Sequence, residues 1–230
     1  MTEPRGVLVT RPEPDATETA AIISGRGWLP VVAPVLTIIR RPSRPAAPCD
    51  AVLLTSGNAL PGLGPEWWDT LVLAVGDRTA ARAIAAGFRR VLSAAGDAVA
   101  LSALVRAQCP AGARLLLPAG AGQGYALGAD LRAAGFQVVR RTVYDVEQVF
   151  PMPNAAIQAF ECGALHAALF LSLRTVGFFV ALMPPTLYRS MAQVDALVIG
   201  GPAADMLATL PWRSVRVSAK PNLEHVLALL

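Results

Sequence analysis

The chain has 230 residues, of which 54% are hydrophobic and 16% charged, enough for one large or two small α/β domains and with nothing resembling a disordered tail. The net charge of +4 rests on arginine, Lys220 being the only lysine, and no basic run alternates with aromatics, which speaks against nucleic acid and leaves a small polyanionic ligand or a plain solvated surface. Cys49, Cys109 and Cys162 lack metal-ligand spacing and suit a reducing cytosol rather than a disulfide framework, and the opening MTEPRGVLVT lacks the pattern of a signal peptide.

In chain order, short apolar runs ending in Gly, Ser, Thr or Pro alternate with segments of three- and four-residue apolar spacing, the pattern of strand, loop and helix. The first strand is expected over 7–10. A helix follows, with Asp15 and Glu18 as a capping box and Ala16, Ala20 and Ile23 as its inner stripe. Residues 34–42, PVLTIIRRP, alternate as a strand does, and the proline-rich 41–48 reads as an exposed extended lead. Residues 51–139 then give AVLL, LVLAVG, RVLS, RLLLPAG and GFQVV with helical spacing between them. Asp97 is placed to cap a helix whose stripe is Leu101, Leu104, Val105 and Gln108, and Gly27, Gly87 and Gly135 suit left-handed C-terminal caps. A further strand is expected over 142–149. The stretch 165–183 is about as long as a membrane span, but Arg174 near its middle costs about 3 kcal/mol in a bilayer. It reads instead as a buried strand to Leu171, a loop and a helix, so no membrane partner is expected.

The series of 51–139 recurs over 167–230 as AALFLSL, ALVIGG and VRVSAK, without its closing strand, helix, glycine and strand. Residues 6–32 supply that missing piece, GVLVTRP through GRGWLPVV aligning with RLLLPAG through AGFQVV. One domain inserted in another accounts for this order: a discontinuous α/β domain from 1–35 and 149–230, an inserted α/β domain over 42–141, and connector strands at 36–41 and 142–148. Both domains are expected to carry parallel sheets flanked by helices.

In such sheets the functional groups sit on loops beyond the C-terminal strand ends, where helix N-termini also offer free N–H donors. Those loops are TRPEPD (10–15), TSGNA (55–59), VGDRTA (75–80), PAGAGQG (118–124), SLRTV (172–176) and GGPAAD (200–205). Gly120, Gly122 and Gly124 do not form a dinucleotide fingerprint, because Tyr125 stands where its third glycine belongs. His166 and His225 lie near no nucleophile motif, so a Ser-His-Asp or Cys-His mechanism has little support.

TRP after the first strand, TSGNA, VGDRTAA with a later AAGF, VY in the connector, LSLRTV, IGGPAAD and the closing SAKPNLEHV together resemble uroporphyrinogen-III synthases, in order and over nearly the whole chain. The resemblance implies two flavodoxin-like domains joined by a two-stranded connector, with the substrate in the cleft between, in a cytoplasmic monomer of tetrapyrrole biosynthesis. The substrate implied is hydroxymethylbilane, a linear polycarboxylate received from hydroxymethylbilane synthase. The reaction dehydrates it and closes the ring with the terminal pyrrole inverted, using no cofactor and no metal.

The same resemblance assigns site residues. Tyr144 matches the family's connector tyrosine, a weak acid that hydrogen-bonds the departing hydroxyl; the alternative is a strand residue packing at the domain junction. Asn58 and Thr79 match polar positions in two cleft loops, and Thr55, Ser56, Arg11 and Ser172 fall in matching loops. Each has a structural alternative as a cap, a turn residue or a loop ion pair. Gly120, Gly201 and Ala203 are further candidates, in two loops that depart from the family pattern. Where the family usually has Arg-Gly this chain has Ala119-Gly120, and where the family has a threonine it has Ala203, so backbone approach replaces side-chain donors. Arg78 and Arg174 rank lower, on charge alone. A non-catalytic tetrapyrrole-binding or scaffold paralogue of the same fold is the alternative function.

Overall fold

The computed structural model describes residues 5–41 and 48–230; the body of the proline-rich lead falls outside them. The chain divides into two compact units, Met1–Thr37 with Glu147–Leu230, and Ile38–Val146.

In the first unit β1 (Gly6–Val9), α1 (Asp15–Gly25) and β2 (Leu29–Val32) come before the interruption. After it come α5 (Asn154–Glu161), β9 (Leu165–Phe170), α6 (Leu173–Leu182), α7 (Tyr188–Met191), β10 (Asp195–Val198), α8 (Gly201–Leu207), β11 (Ser214–Val217) and α9 (Leu223–Leu227). The second unit contains β4 (Ala51–Leu54), β5 (Leu71–Ala74), α2 (Asp77–Ala85), β6 (Val91–Ser93), α3 (Ala98–Gln108), β7 (Arg114–Gly120), α4 (Tyr125–Ala133) and most of β8 (Gln137–Gln148). The chain passes between units within β3 (Leu36–Arg40) and again near the end of β8.

The first sheet has the order β11-β10-β9-β1-β2, every pair parallel. The second has the order β3-β8-β7-β4-β5-β6, parallel from β8 to β6. Replacing β8, β7, β4, β5 and β6 by β2, β1, β9, β10 and β11, as the sequence repeat dictates, turns one order into the other. The two sheets are therefore one doubly wound arrangement entered at different points of the chain. At the remaining edge Arg41 N–H donates to Val143 O (2.9 Å) and Val149 N–H to Val35 O (3.0 Å), so β3 runs antiparallel to the end of β8. The segments GFQVV and TVYDVEQV belong to this one 12-residue strand.

Each sheet is covered on both faces, as parallel strands with crossover helices require. In β1, Val7 and Val9 enter one core with Ala16 and Ile23 of α1, while Leu8 enters the other, beneath α5 and α6. That second core holds an aromatic group in which Phe179 stacks on Trp212 at 5.7 Å and meets Phe170 edge-on at 4.9 Å. The stretch 165–183 resolves into β9 and α6, and among the described residues no helix is long and apolar enough to cross a membrane.

Three local expectations are corrected. Asp15 is inside α1 rather than at its cap, because its carboxylate is taken by Arg11; Glu13 instead accepts from Thr17 N–H at 3.1 Å. Thr19 replaces Ala20 in the buried stripe, its hydroxyl satisfied by Asp15 O at 2.7 Å. In α3, Ser102 is buried and Gln108 exposed, since α3 faces α4 and Ser102 donates to Asp130 Oδ2 there. Asp97 caps α3 as expected, accepting from Val99 N–H and Ala100 N–H, and Gly27 and Gly135 take the left-handed conformation after their helices.

Candidate active-site residues

In the first unit the strand order reverses between β1 and β9, the place where open α/β sheets present their ligand crevice. Thr10, fully buried, spans that point by donating to Leu169 O at 2.7 Å. Arg11 follows directly. It is paired with Asp15 and donates to Thr19 Oγ1 at 3.1 Å, so its guanidinium is held against the first turn of α1. After β9, Ser172 caps α6 by accepting from Thr175 N–H at 3.1 Å. After β10, Gly201 opens α8 and is exposed, whereas Ala203 is 3% exposed, with its side chain in the core and its N–H bonded to Gly200 O.

In the second unit Thr55, Ser56 and Asn58 form the turn after β4, all half-buried, with Ser56 Oγ accepting from Asn58 N–H at 3.2 Å. Thr79 lies in the first turn of α2, also half-buried. The same helix brings Arg82 against Gly57, where a β-carbon would stand 2.9 Å from Arg82 Cδ. This glycine leaves room for the Arg82 side chain against the β4 turn.

Gly120 and Tyr144 are brought together by the register of β7 and β8. Ala119 pairs with Thr142 but Gly120 pairs with Tyr144, so one extra residue bulges from β8. Val143 and Tyr144, which a regular strand would send to opposite faces, consequently enter the same core cluster. Tyr144 is 2% exposed, and its ring lies so close over Gly120 that a β-carbon there would stand 2.6 Å from Cε2. Its hydroxyl donates to Gln123 Oε1 at 2.9 Å.

Gln123 and Arg140 escaped the sequence reading. Arg140, on β8, ties down the turn after β7: Nε donates to Gln123 O (2.6 Å), Nη2 to Gly120 O (2.8 Å) and Nη1 to Thr142 Oγ1 (3.1 Å). Its guanidinium carbon sits 4.1 Å from the centre of the Tyr125 ring, a cation–π contact. These acceptors are all neutral, so the arginine orders the turn while keeping its positive charge there. The only available signal in the sequence was a glutamine among glycines and an arginine on a strand, neither of which carries periodicity.

Elsewhere, a groove of about 410 Å³ lies between α3 and α4, lined by Val99, Ser102, Arg106, Leu127 and Asp130. It is on the flank of the unit rather than at the strand ends. Its carboxylate, Asp130, is held below the usual range by the Ser102 hydroxyl and then by Arg106. Among the described residues no cluster of His, Cys, Asp or Glu could hold a metal ion.

Residues 17–228 match the family described as Uroporphyrinogen-III synthase HemD. The chain belongs to the uroporphyrinogen-III synthase family. No curated protein sequence matches it. Among solved structures, uroporphyrinogen-III synthetase from Helicobacter pylori 26695 is similar over 100% of this chain and 98% of that one, with a TM-score of 0.63 at 16% identity. A mutant uroporphyrinogen III synthase from the extremely thermophilic bacterium Thermus thermophilus matches over 97% of this chain and 96% of its own, with a TM-score of 0.50 at 18% identity. At such identities the likeness is one of fold. The family is one of lyases acting on hydroxymethylbilane, and this chain has its two mainly parallel sheets flanked by helices.

Proposed function

We propose that this member of the uroporphyrinogen-III synthase family is an active synthase, a hydro-lyase converting hydroxymethylbilane to uroporphyrinogen III. The observation that carries the reading is the Tyr144–Gln123 pair: a phenol fixed by a glycine contact and a hydrogen bond at the C-terminal edge of the second sheet. The pyrrole nitrogen's electrons expel the substrate's hydroxyl, the C–O bond breaks, and the oxygen leaves as water on receiving a proton. Tyr144 assists that step as a hydrogen-bonding weak acid, and solvent supplies the proton. The substituted carbon of the terminal ring then attacks the cation, and the spirocyclic intermediate reopens and recloses with that ring inverted. The protein's larger contribution is to hold a reactive chain in one geometry, which alone supports large accelerations.

Arg11, Thr55, Ser56, Asn58, Thr79, Gly120, Ser172, Gly201 and Ala203 are the proposed substrate-site residues. For Gly201 the contact is through backbone, whereas Ala203, its N–H bonded to Gly200 O and its side chain buried, shapes the turn rather than donating. The protein acts as a cytoplasmic monomer that takes its substrate from hydroxymethylbilane synthase. The buried Ala203, which stands where a hydroxyl is usual, favours a second reading, a paralogue that binds a tetrapyrrole without turning it over. A coupled assay separates the two: hydroxymethylbilane is generated in place, the protein added, and the type I and type III uroporphyrin isomers resolved after oxidation. Predominantly type III supports the synthase. Only the spontaneous type I product from folded protein refutes it.

A further inference from the structure

The phenol proposed as the acid is buried, and the group at the more exposed end of its hydrogen bond is Gln123. A carboxamide has one acceptor oxygen and two N–H donors. Oε1 of Gln123 is occupied by the Tyr144 hydroxyl, while Nε2 has no partner among the described residues. The main chain that carries this amide is tied down on both sides. Its own carbonyl is gripped by Arg140 Nε at 2.6 Å, its N–H donates to Gly120 O at 3.1 Å, and the turn is tied a second time through Arg140 Nη2. Trp212 Nε1 is the one buried side-chain polar atom without a partner among the described residues, so the Gln123 N–H pair faces solvent, where a ligand oxygen can take the place of water.

We propose that Gln123 touches the substrate and carries the influence of Tyr144 to it, Nε2–H donating to a substrate oxygen while Oε1 accepts from the phenol. The inference rests on the synthase reading. Hydrogen bonds in series polarise one another, so the O–H···Oε1 bond strengthens the amide as a donor. The residual charge of Arg140, balanced only by neutral acceptors, adds to the attraction for an anionic oxygen. Arg140 is then a positioning residue: it meets no substrate but fixes the turn from which Gln123 reaches out.

The test is a double-mutant cycle on the full chain with Tyr144→Phe and Gln123→Met, with Gln123→Asn as a second variant at the same position and melting curves run on all. Each single substitution is expected to lower kcat about tenfold, the loss of one hydrogen bond made in the transition state, and the double variant to be no slower than either single one. If Gln123→Met keeps the wild-type kcat, or if the two losses multiply, the phenol acts without the amide and the proposal fails with the synthase reading intact. Should the wild type yield only type I isomer, the synthase reading fails instead. The contact is then read from binding of uroporphyrin III, a stable polycarboxylate, by quenching of tryptophan emission. A roughly tenfold weaker Kd in both Gln123 variants upholds the contact, and an unchanged Kd overturns it. For Arg140→Lys, which retains charge but not the fork, a fall in kcat at constant KM supports positioning, whereas full activity removes Arg140 from the scheme.

Discussion

Gly120→Ala tests the geometry on which the site depends. The added β-carbon would lie 2.6 Å from Tyr144 Cε2, 2.8 Å from Cζ and 3.1 Å from Gln123 Cδ, where ordinary contact begins at 3.4 Å. The ring has little room to retreat, being 2% exposed in a cluster with Val143, Leu116 and Leu60. Overpacking of this kind costs about 1–3 kcal/mol, and displacing the hydroxyl from Gln123 forfeits about 1 kcal/mol more. A total of roughly 2–4 kcal/mol corresponds to a melting point lowered by roughly 4–16 °C in a chain of this size. Calorimetry of Gly120→Ala measures it directly, and a Tyr144→Leu background supplies the control, since a smaller side chain relieves the clash. An unchanged Tm for Gly120→Ala, or the same loss in the Tyr144→Leu background, would show that the glycine is not kept for the tyrosine ring.

Asp195 accepts from Arg213 Nε (2.8 Å) and Nη2 (2.5 Å) and from Ser214 Oγ (2.8 Å), and Arg213 in the first place holds its carboxyl below the usual range. A depressed folded pKa gives stability that is complete above the unfolded value near 4 and lost as pH falls through the folded one. Urea melts should accordingly find Asp195→Asn less stable than wild type at pH 7, with the gap narrowing at pH 3; a constant gap would contradict the linkage. Burial pushes the Cys49 thiol up to about 11 and raises Cys109 as well, while Cys162 is exposed. An aromatic disulfide reagent at pH 8 should therefore label one thiol per chain quickly, at Cys162, and the other two only after denaturation. Phe179→Ala, which empties the centre of the Phe160–Phe170–Trp212 group, should cost about 3–5 kcal/mol in denaturant unfolding; a loss below about 1 kcal/mol would mean that the group repacks.

Much of the fold was legible because parallel strands buried on both faces leave short apolar runs that stand out from helical spacing, as Val7–Val9 and Ala51–Leu54 do. The permuted repeat was legible for the same reason, and the two sheet orders agree with it strand for strand. Finer matters depended on side-chain contacts that spacing does not encode. Asp15 looked like half of a capping box until Arg11, four residues earlier, claimed its carboxylate. The pairing of Tyr144 with Gly120 depends on a bulge at Val143, and no pattern in TVYDVEQV distinguishes a bulged strand from a regular one. Gln123 and Arg140 were hidden for that reason: their roles arise only once the bulge has set the register of β8 against the turn after β7.

The interrupted sheet also imposes a schedule on synthesis. Thr10 and Leu169, joined across the β1–β9 edge, are 159 residues apart, whereas the second unit is one unbroken segment from Ile38 to Val146. At about 5–20 residues per second, a ribosome needs roughly 8–30 s to deliver β9 after β1. Through that interval the second unit can complete its sheet, while β1, apolar on both faces, has β2 as its only available neighbour. The newborn chain thus holds a sticky strand in waiting, and the inserted unit is the cause of the delay.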